Sequence, residues 1–166
     1  PAHNLHEVSR ACIALIKNPT IELPEILSLI PGPDFPGGAQ IISPAATLSD
    51  IYQSGRGSIK VRARWKIEEL ARAQWQLVVY ELPPGVSSQK VLEEIEEISN
   101  PKIKLWKKTL SPEQVALKQM LLALLDTVRD ESGREAPIRL VFEPKSKNLD
   151  SAEFAQTLLA HTSLES

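Results

Sequence analysis

Apolar and polar residues alternate strictly along one stretch near the middle of the chain. Between Ser58 and Ile67 every second residue is apolar, and Lys or Arg occupies the positions between them. Because successive side chains of a β-strand point to opposite sides, this alternation predicts a strand with one apolar and one cationic face. Trp75–Glu81, rich in valine, leucine and aromatic residues, is predicted as its antiparallel partner.

Elsewhere apolar residues recur every three or four positions, which predicts amphipathic helices. Ser111-Pro112-Glu113-Gln114 is the strongest helix start, with a Ser cap, Pro in the first position and Gln in the third. The predicted helices are Asn4–Lys17, Pro24–Leu29, Thr47–Tyr52, Ser88–Ile98, Ser111–Val128 and Asp150–Ala160, and two further strands cover Ala39–Ile42 and Ile138–Phe142. Strands separated by helices predict an α+β fold, a mixed or antiparallel sheet flanked by several helices.

Length and composition indicate a soluble globular protein. The 166 residues are enough for one domain with a sizeable core, and 42% hydrophobic and 24% charged residues are ordinary values. The chain begins at Pro1 without an initiator methionine, so we expect residues 1–166 to be one domain excised from a longer chain. No apolar run is long enough to cross a bilayer and no signal peptide is visible, which predicts a cytoplasmic setting. The single Cys12 excludes a disulfide framework and a cysteine zinc site, and is expected to pack as a small hydrophobe.

The cationic face is a local feature, because the whole chain has a net charge of −2. No Asp or Glu lies between residues 51 and 67. Lys and Arg arrays of this kind supply affinity for nucleic-acid phosphates, whereas many antiparallel sheets have a charged face that binds nothing. A second basic cluster, in which four lysines surround Trp106 on a predicted loop, has the same two interpretations. Its lysines are Lys102, Lys104, Lys107 and Lys108.

No group of residues builds an active site by itself. Nucleophilic catalysis needs a nucleophile with a base nearby, and both tyrosines lie in apolar patterns. His3 and His6 have no third metal ligand nearby in the sequence. Asp130-Glu131 is interpreted as a helix-end turn rather than a cation site. We therefore expect no catalytic residue and no metal site in this chain.

Four motifs, taken in order along the chain, resemble the A subunits of bacterial type IIA DNA topoisomerases, the family of topoisomerase IV and DNA gyrase. The family patterns Pro-His-Asn-Leu-x-Glu-Val, Gly-Pro-Asp-Phe-Pro, Gly-Arg-Gly with Arg-Ala-Arg, and Arg-Asp-Glu-Ser are matched at Ala2–Val8, Gly32–Pro36, Gly55–Gly57 with Arg62–Arg64, and Arg129–Ser132. The longer segment between residues 98 and 129 is more similar to the A subunit of topoisomerase IV than to that of gyrase. The resemblance implies the tower domain of such a protein.

In this family the towers contact the outer arms of the gate DNA. The resemblance therefore implies DNA-binding roles for Arg56, Lys60, Arg62, Arg64 and Lys66, which would neutralise phosphates without reading bases. Arg56, Arg62 and Arg64 lie in matched motifs, whereas Lys60 and Lys66 are assigned from strand alternation alone. The parent enzyme would be an ATP-dependent isomerase that passes one duplex through a double-strand break in another, for decatenation and relaxation.

The resemblance also implies which functions lie elsewhere. The catalytic tyrosine of the family is upstream of this segment, so we expect the segment alone to be inactive and to hold no cofactor. Mg²⁺ and ATP belong to the B subunit of topoisomerase IV, which is the expected partner besides double-stranded DNA. The parent A subunit is expected to form a homodimer in the bacterial cytoplasm, at the nucleoid. The alternative is a structural or subunit-interaction module without DNA contact, because Met120–Leu125 is apolar on nearly all sides of its predicted helix.

Overall fold

The computed structural model describes residues 2–166. They form six α-helices and two antiparallel sheets, which confirms the predicted α+β class. The helices are α1 (Leu5–Lys17), α2 (Leu23–Leu29), α3 (Ala45–Ser54), α4 (Ser88–Ser99), α5 (Pro112–Leu124) and α6 (Ser151–His161). The strands are β1 (Gln40–Ile41), β2 (Val61–Arg62), β3 (Arg64–Glu69), β4 (Trp75–Glu81), β5 (Leu125–Asp130) and β6 (Leu140–Pro144). β1 pairs with β2, and the larger sheet has the order β3-β4-β6-β5. None of the helices described has the length and apolar character needed to cross a bilayer.

Side-chain caps begin the helices where the sequence predicts them. The Asn4 side chain accepts a hydrogen bond from the backbone N–H of Glu7 at the start of α1. Ser111 and Gln114 form a complete capping box at the start of α5, each side chain bonding to the other residue's backbone N–H. The Asp150 carboxylate accepts from the N–H of Ala152 and begins α6. These bonds satisfy backbone donors that have no partner within the helix.

The predicted hairpin between the alternating strand and Trp75–Glu81 is confirmed, because β3 and β4 pair as antiparallel neighbours. The predicted single strand Ser58–Ile67, however, is interrupted at Ala63. The carboxyl-terminal residues of the chain pair with its first half: Val61 N–H donates to Ser166 O at 2.8 Å, and Ala63 N–H donates to Leu164 O at 2.7 Å. The backbone bonds of β2 therefore go to β1 and to this terminal segment, and β3 starts a different sheet.

One face of the four-stranded sheet packs against the helices to form the core. β4 and β6 contribute Leu77, Val79, Leu140 and Phe142 to this face. The helices contribute Val91, Ile95, Leu121, Phe154, Ala155, Leu158 and Leu159. The two-residue alternation places Val78 and Val141, also completely buried, on the opposite face of the same strands.

The helix that starts at Ser111 does not run to Val128 as predicted. It ends at Leu124, and Leu125 has the extended dihedral angles φ −101° and ψ 124°. From Leu125 the chain forms β5 and pairs with β6, so Asp130 ends a strand and the predicted helix-end turn is wrong. The β-branched Thr127 and Val128 favour this outcome, and pairing along a whole strand outweighs the local helix preference of the residues before them.

The predicted packing of Cys12 is also wrong, because its side chain is exposed. Its neighbour Ala11 is the buried residue of α1. Much of the apolar surface of α1 is left exposed, including Leu5, Ile13 and Ile16. The apolar stripe predicted on α1 is therefore buried over only part of its width.

The core assignment is tested by the same substitution at two positions. Leu140 is 0% exposed and Leu105 is 95% exposed. We expect Leu140→Ala to lower the free energy of unfolding by about 2–5 kcal/mol, because it removes buried contacts and leaves a cavity. Leu105→Ala should change it by less than about 0.5 kcal/mol. Urea unfolding followed by circular dichroism measures both values, and equal losses would contradict the assignment.

Candidate nucleic-acid interface

The first of the five predicted DNA-binding residues lies in a turn whose shape requires glycine. Gly55 ends α3 in the left-handed conformation, with φ 71°. Gly57 has φ 133°, and a Cβ at this position would lie 2.7 Å from Cγ1 of Ile51. Only glycine fits such a position without displacing its neighbour. Arg56 is held between these two glycines and is exposed to solvent.

Lys60 is held by its backbone beside the two-stranded sheet. Its N–H donates to Oγ of Ser43 at 2.8 Å, and its carbonyl accepts from the N–H of Ile42 at 2.9 Å. Its side chain is exposed. Within residues 2–166, no carboxylate oxygen lies within 4.0 Å of the charged nitrogens of Arg56 or Lys60. Both cations are therefore available to an external anion.

Arg62 is partly withdrawn from solvent. Its Cζ lies 5.8 Å from the centroid of the Trp65 ring, which is within the range of a cation–π interaction. Its Nε is buried and has no hydrogen-bond partner among the described residues. A bound phosphate oxygen could accept from this N–H only after a change of side-chain conformation, because the atom is inaccessible as it stands.

The structure brings acids to the remaining two predicted residues. Arg64 Nε lies 3.0 Å from Glu81 Oε2, and Lys66 Nζ lies 3.7 Å from Glu68 Oε2. Lys66 also lies over the ring of Tyr80, 6.0 Å from its centroid. The side chains of Arg64 and Lys66 remain 45% and 56% exposed, so both ion pairs are weak and exchangeable.

A larger set of ion pairs, not predicted from the sequence, covers the face of the sheet opposite the core. Glu68 on β3 accepts two hydrogen bonds from the Arg139 guanidinium, at 2.8 and 2.9 Å. Arg139 and Arg129 each donate to Glu131 at 3.1 Å, and Arg129 also donates to Glu143. We call these five residues the ionic cluster. The Arg129–Ser132 motif was the only sequence signal for it, and that motif does not reveal its partners.

The ionic cluster shifts the pKa values of its members in the direction that favours charge. Hydrogen bonds from Arg139, then from Gln76, lower the pKa of Glu68 to about 2. Hydrogen bonds from Arg129 lower the pKa of both Glu131 and Glu143. The same bonds, first of all the one to Glu143, raise the pKa of Arg129. The cluster therefore stays fully charged across the neutral range.

Two further features of the described residues bear on possible chemistry, a tyrosine–histidine pair and the distribution of metal-ligating side chains. The closest pairing of a tyrosine with a base joins Tyr52 Oη to His3 Nε2 at 2.6 Å. Burial, and next the charge of Glu7, raises the pKa of Tyr52, which makes its phenolate harder to form. No three His, Cys, Asp or Glu side chains converge on a metal-sized site anywhere in residues 2–166. The DNA-binding roles of the five cations remain a prediction.

Comparison with known proteins decides the family. The family of the DNA gyrase/topoisomerase IV A subunit matches residues 1–166. The chain belongs to this family. The A subunit of DNA topoisomerase 4 from Neisseria gonorrhoeae is 54% identical over 165 residues, which are 99% of this chain and 22% of that protein.

Less similar relatives also match nearly the whole chain. The A subunit of DNA topoisomerase 4 from Escherichia coli K12 is 38% identical over 99% of the chain and 19% of its own length, and that of Rickettsia conorii is 37% identical over 100% and 20%. The chain thus spans about one fifth of the length of these topoisomerase proteins. The predicted resemblance to a topoisomerase IV A subunit is confirmed.

We expect the ionic cluster to make the free energy of unfolding of this topoisomerase segment decrease in acid. The Glu68 pKa of about 2 lies below the usual 4.5, so its stabilising effect is complete above pH 4.5 and disappears as the pH falls towards 2. We expect Glu68→Gln to lower the free energy of unfolding by about 1–2 kcal/mol at pH 7, because Arg139 loses its charged acceptor. The difference from the parent chain should shrink between pH 4.5 and 2.5, as measured by urea unfolding.

Glu97→Gln is the matched control for this prediction. Glu97 is an exposed residue of α4 and has no ion pair within the described residues. Its substitution should leave both the stability and its pH dependence nearly unchanged. The prediction fails if Glu68→Gln and Glu97→Gln give the same pH profile.

Proposed function

We propose that this chain is the tower segment of a topoisomerase IV A subunit, in which it holds duplex DNA through its phosphates. The parent enzyme would pass one duplex through a double-strand break in another, for decatenation and relaxation, with ATP and Mg²⁺ bound on the B subunit. The segment would contact the arms of the cleaved duplex and supply no cleavage chemistry. Family membership supports the parent enzyme, and the exposed cations support the DNA contact.

The observation that carries the DNA contact is the pair of free cations at Arg56 and Lys60. Both are exposed, and both lack an acid within 4.0 Å in the described part of the chain. Hydrogen bonds with the Ser54 and Ser43 side chains hold the backbone at Arg56 and at Lys60, so phosphate binding would order their side chains rather than their backbone. Arg62, Arg64 and Lys66 continue the positive charge along the chain, as secondary contacts.

The type of contact suits an enzyme that acts on many sequences. Phosphates carry no sequence information, whereas base edges do. The cations of this surface lie along a short stretch of chain that runs from the turn after α3, through β2, to β3. A surface of this kind follows the DNA backbone and favours bent duplexes, which bring more phosphates within reach. The parent would work as a homodimer together with the B subunit, in the cytoplasm at the nucleoid.

Salt dependence tests the DNA contact directly. If four phosphates are engaged, log K for a short duplex should fall against log salt with a slope of about −3.6. Arg56→Gln combined with Lys60→Gln should reduce this slope by about 1.8, because each lost phosphate contact removes about 0.9. Fluorescence anisotropy of a labelled duplex with the 166-residue chain measures the slope.

Lys17→Gln is the control for the salt experiment. Lys17 is exposed in the last turn of α1 and, in the part of the chain that is described, has no ion pair. The substitution Lys17→Gln removes one positive charge outside the proposed surface, so the salt slope of this variant should equal that of the parent chain. An unchanged slope in the Arg56 and Lys60 variant would refute the assignment.

The ion pair of Arg64 gives a test of opposite sign. Glu81 competes with phosphate for Arg64, which it contacts at 3.0 Å. We expect Glu81→Gln to strengthen duplex binding about two- to fivefold at low salt, because it frees Arg64 and removes a repelling charge. Glu97→Gln, which also removes one acid, controls for net charge. Equal gains from both variants would show that Arg64 does not contact DNA.

A second candidate function is protein contact without DNA. Leu5, Ile13 and Ile16 on α1 are exposed apolar side chains, as an interaction surface requires. The apolar segment of α5 that first suggested this function is divided, with Leu121 in the core and Leu122 exposed. This function replaces the first if the chain binds no duplex at low salt yet sediments as a complex with the B subunit or with itself.

A further inference from the structure

The loop between α4 and α5 contains a tight turn with two apolar side chains at its tip. Lys107 N–H donates to Lys104 O at 2.9 Å, which closes a four-residue turn. Its two central residues are Leu105 and Trp106, which are 95% and 94% exposed. They are the most exposed large apolar side chains in residues 2–166. Central turn positions usually hold polar residues, Gly or Pro, so this choice needs a reason other than folding.

Both ends of the loop are held in place. Asn100 N–H donates to Glu96 O at 2.8 Å and ends α4. At the other end the capping box fixes Ser111, and the Gln114 side chain donates back to Lys102 O at 3.4 Å. The tip is therefore presented from a fixed base, and its two apolar side chains point into solvent at no evident benefit to stability.

Four lysines flank this tip in the sequence. They are Lys102, Lys104, Lys107 and Lys108, and no Asp or Glu occurs between residues 98 and 110. Within the described residues, none of the four has a carboxylate oxygen within 4.0 Å. Residues 98–110 therefore carry four positive charges on a chain whose net charge is −2, and of these lysines Lys102 lines the same surface pocket as Glu93, Glu96 and Glu97 of α4.

We propose that this tip is a second contact site for duplex DNA, with the lysines on phosphates and with Trp106 and Leu105 inserted in a groove. The proposal rests on the proposed function, because it assumes that the segment lies against a duplex. Charge complementarity selects the occupant: an apolar protein surface would leave four ammonium groups unmatched, whereas a duplex offers phosphates beside a groove with apolar walls. Apolar wedges flanked by cations are a known means of minor-groove binding.

The two parts of this contact have different experimental signatures. Lysine–phosphate contacts depend on salt, so Lys107→Gln combined with Lys108→Gln should reduce the salt slope by about 1.8. Contacts of an aromatic ring with bases and sugars depend little on salt. Trp106→Ala should therefore weaken duplex binding about five- to tenfold while leaving the slope unchanged. Leu5→Ala, which also removes an exposed apolar side chain, and Lys17→Gln are the matched controls.

The fluorescence of Trp106 reports the contact independently. Trp65 and Trp75 are both half-buried, so acrylamide should quench Trp106 most strongly in the free chain. The contribution of Trp106 is the difference between the parent chain and Trp106→Ala. We expect a short duplex to protect this contribution from acrylamide, at a salt concentration at which anisotropy shows the chain to be bound.

The outcomes separate this proposal from the proposed function. If the tip variants bind duplex like the parent chain and Trp106 stays unprotected, while the Arg56 and Lys60 variant loses slope, the tip proposal is wrong and the proposed function stands. If neither set of variants changes duplex binding, both are wrong. Protection of Trp106 by phosphatidylserine vesicles but not by duplex would overturn the tip proposal in favour of a membrane contact. Circular dichroism of each variant confirms that it is folded.

Discussion

The whole structure depends on covering the two central strands of the larger sheet on both faces. β4 and β6 are completely buried at Val78 and Val141 as well as at the core residues of the other face. Helices α4, α5 and α6 cover the core face. On the opposite face, the strand register places Arg139 of the β6 side beside Tyr80 and Glu68 of β3 beside Gln76. Since Val78 lies between Tyr80 and Gln76 on β4, the ion pair of Arg139 with Glu68 crosses β4 at Val78. The register thus places this ion pair over the buried valine, where long side chains can cover apolar surface with their stems while their charged ends pair.

This arrangement determines which cations are available to a ligand. The acids that close the sheet face or border it, Glu68 and Glu81, also pair with Lys66 and Arg64 on β3. Of the predicted DNA-binding cations, these two acids pair only with those of β3, because the interruption at Ala63 directs β2 to the other sheet. Arg56 and Lys60 lie before the interruption and have no acid within 4.0 Å in the described residues. The most favourable position for a phosphate is therefore the turn after α3, rather than the centre of the alternating stretch.

The features that could be predicted from the sequence are those with local causes. Asn4, Ser111 and Asp150 begin helices because each side chain bonds to a backbone N–H only two or three residues later. The β3–β4 hairpin joins neighbouring segments, and its alternation correctly predicts that Trp65 packs against the core, although Ile67 on the same predicted face is 38% exposed. Such signals lie within a window of a few residues, which is the distance over which a sequence pattern carries information.

The features that escaped prediction have distant causes. Arg139 and Glu68 are 71 residues apart, and no pattern around either residue indicates the other. Val128 was assigned to a helix because the apolar segment before it fits a helix, yet its pairing with Phe142 on β6 makes it part of a strand. The interruption at Ala63 is caused by the last residues of the chain, which take the backbone bonds that a continuous strand would use. The residue types of the candidate site were therefore predicted, but not which of its cations are paired with acids.

The two proposed DNA contacts differ in the physical forces that they use. Arg56 and Lys60 offer charge alone, which gives an affinity that falls steeply with salt and is indifferent to sequence. The tip at Trp106 adds apolar surface to charge, and this part persists when salt screens the lysines. The remainder of the chain is acidic enough to give a net charge of −2, so it repels a polyanion that approaches elsewhere. Local cations on an acidic protein thus restrict the duplex to a few positions, and a second contact of a different kind would fix its orientation.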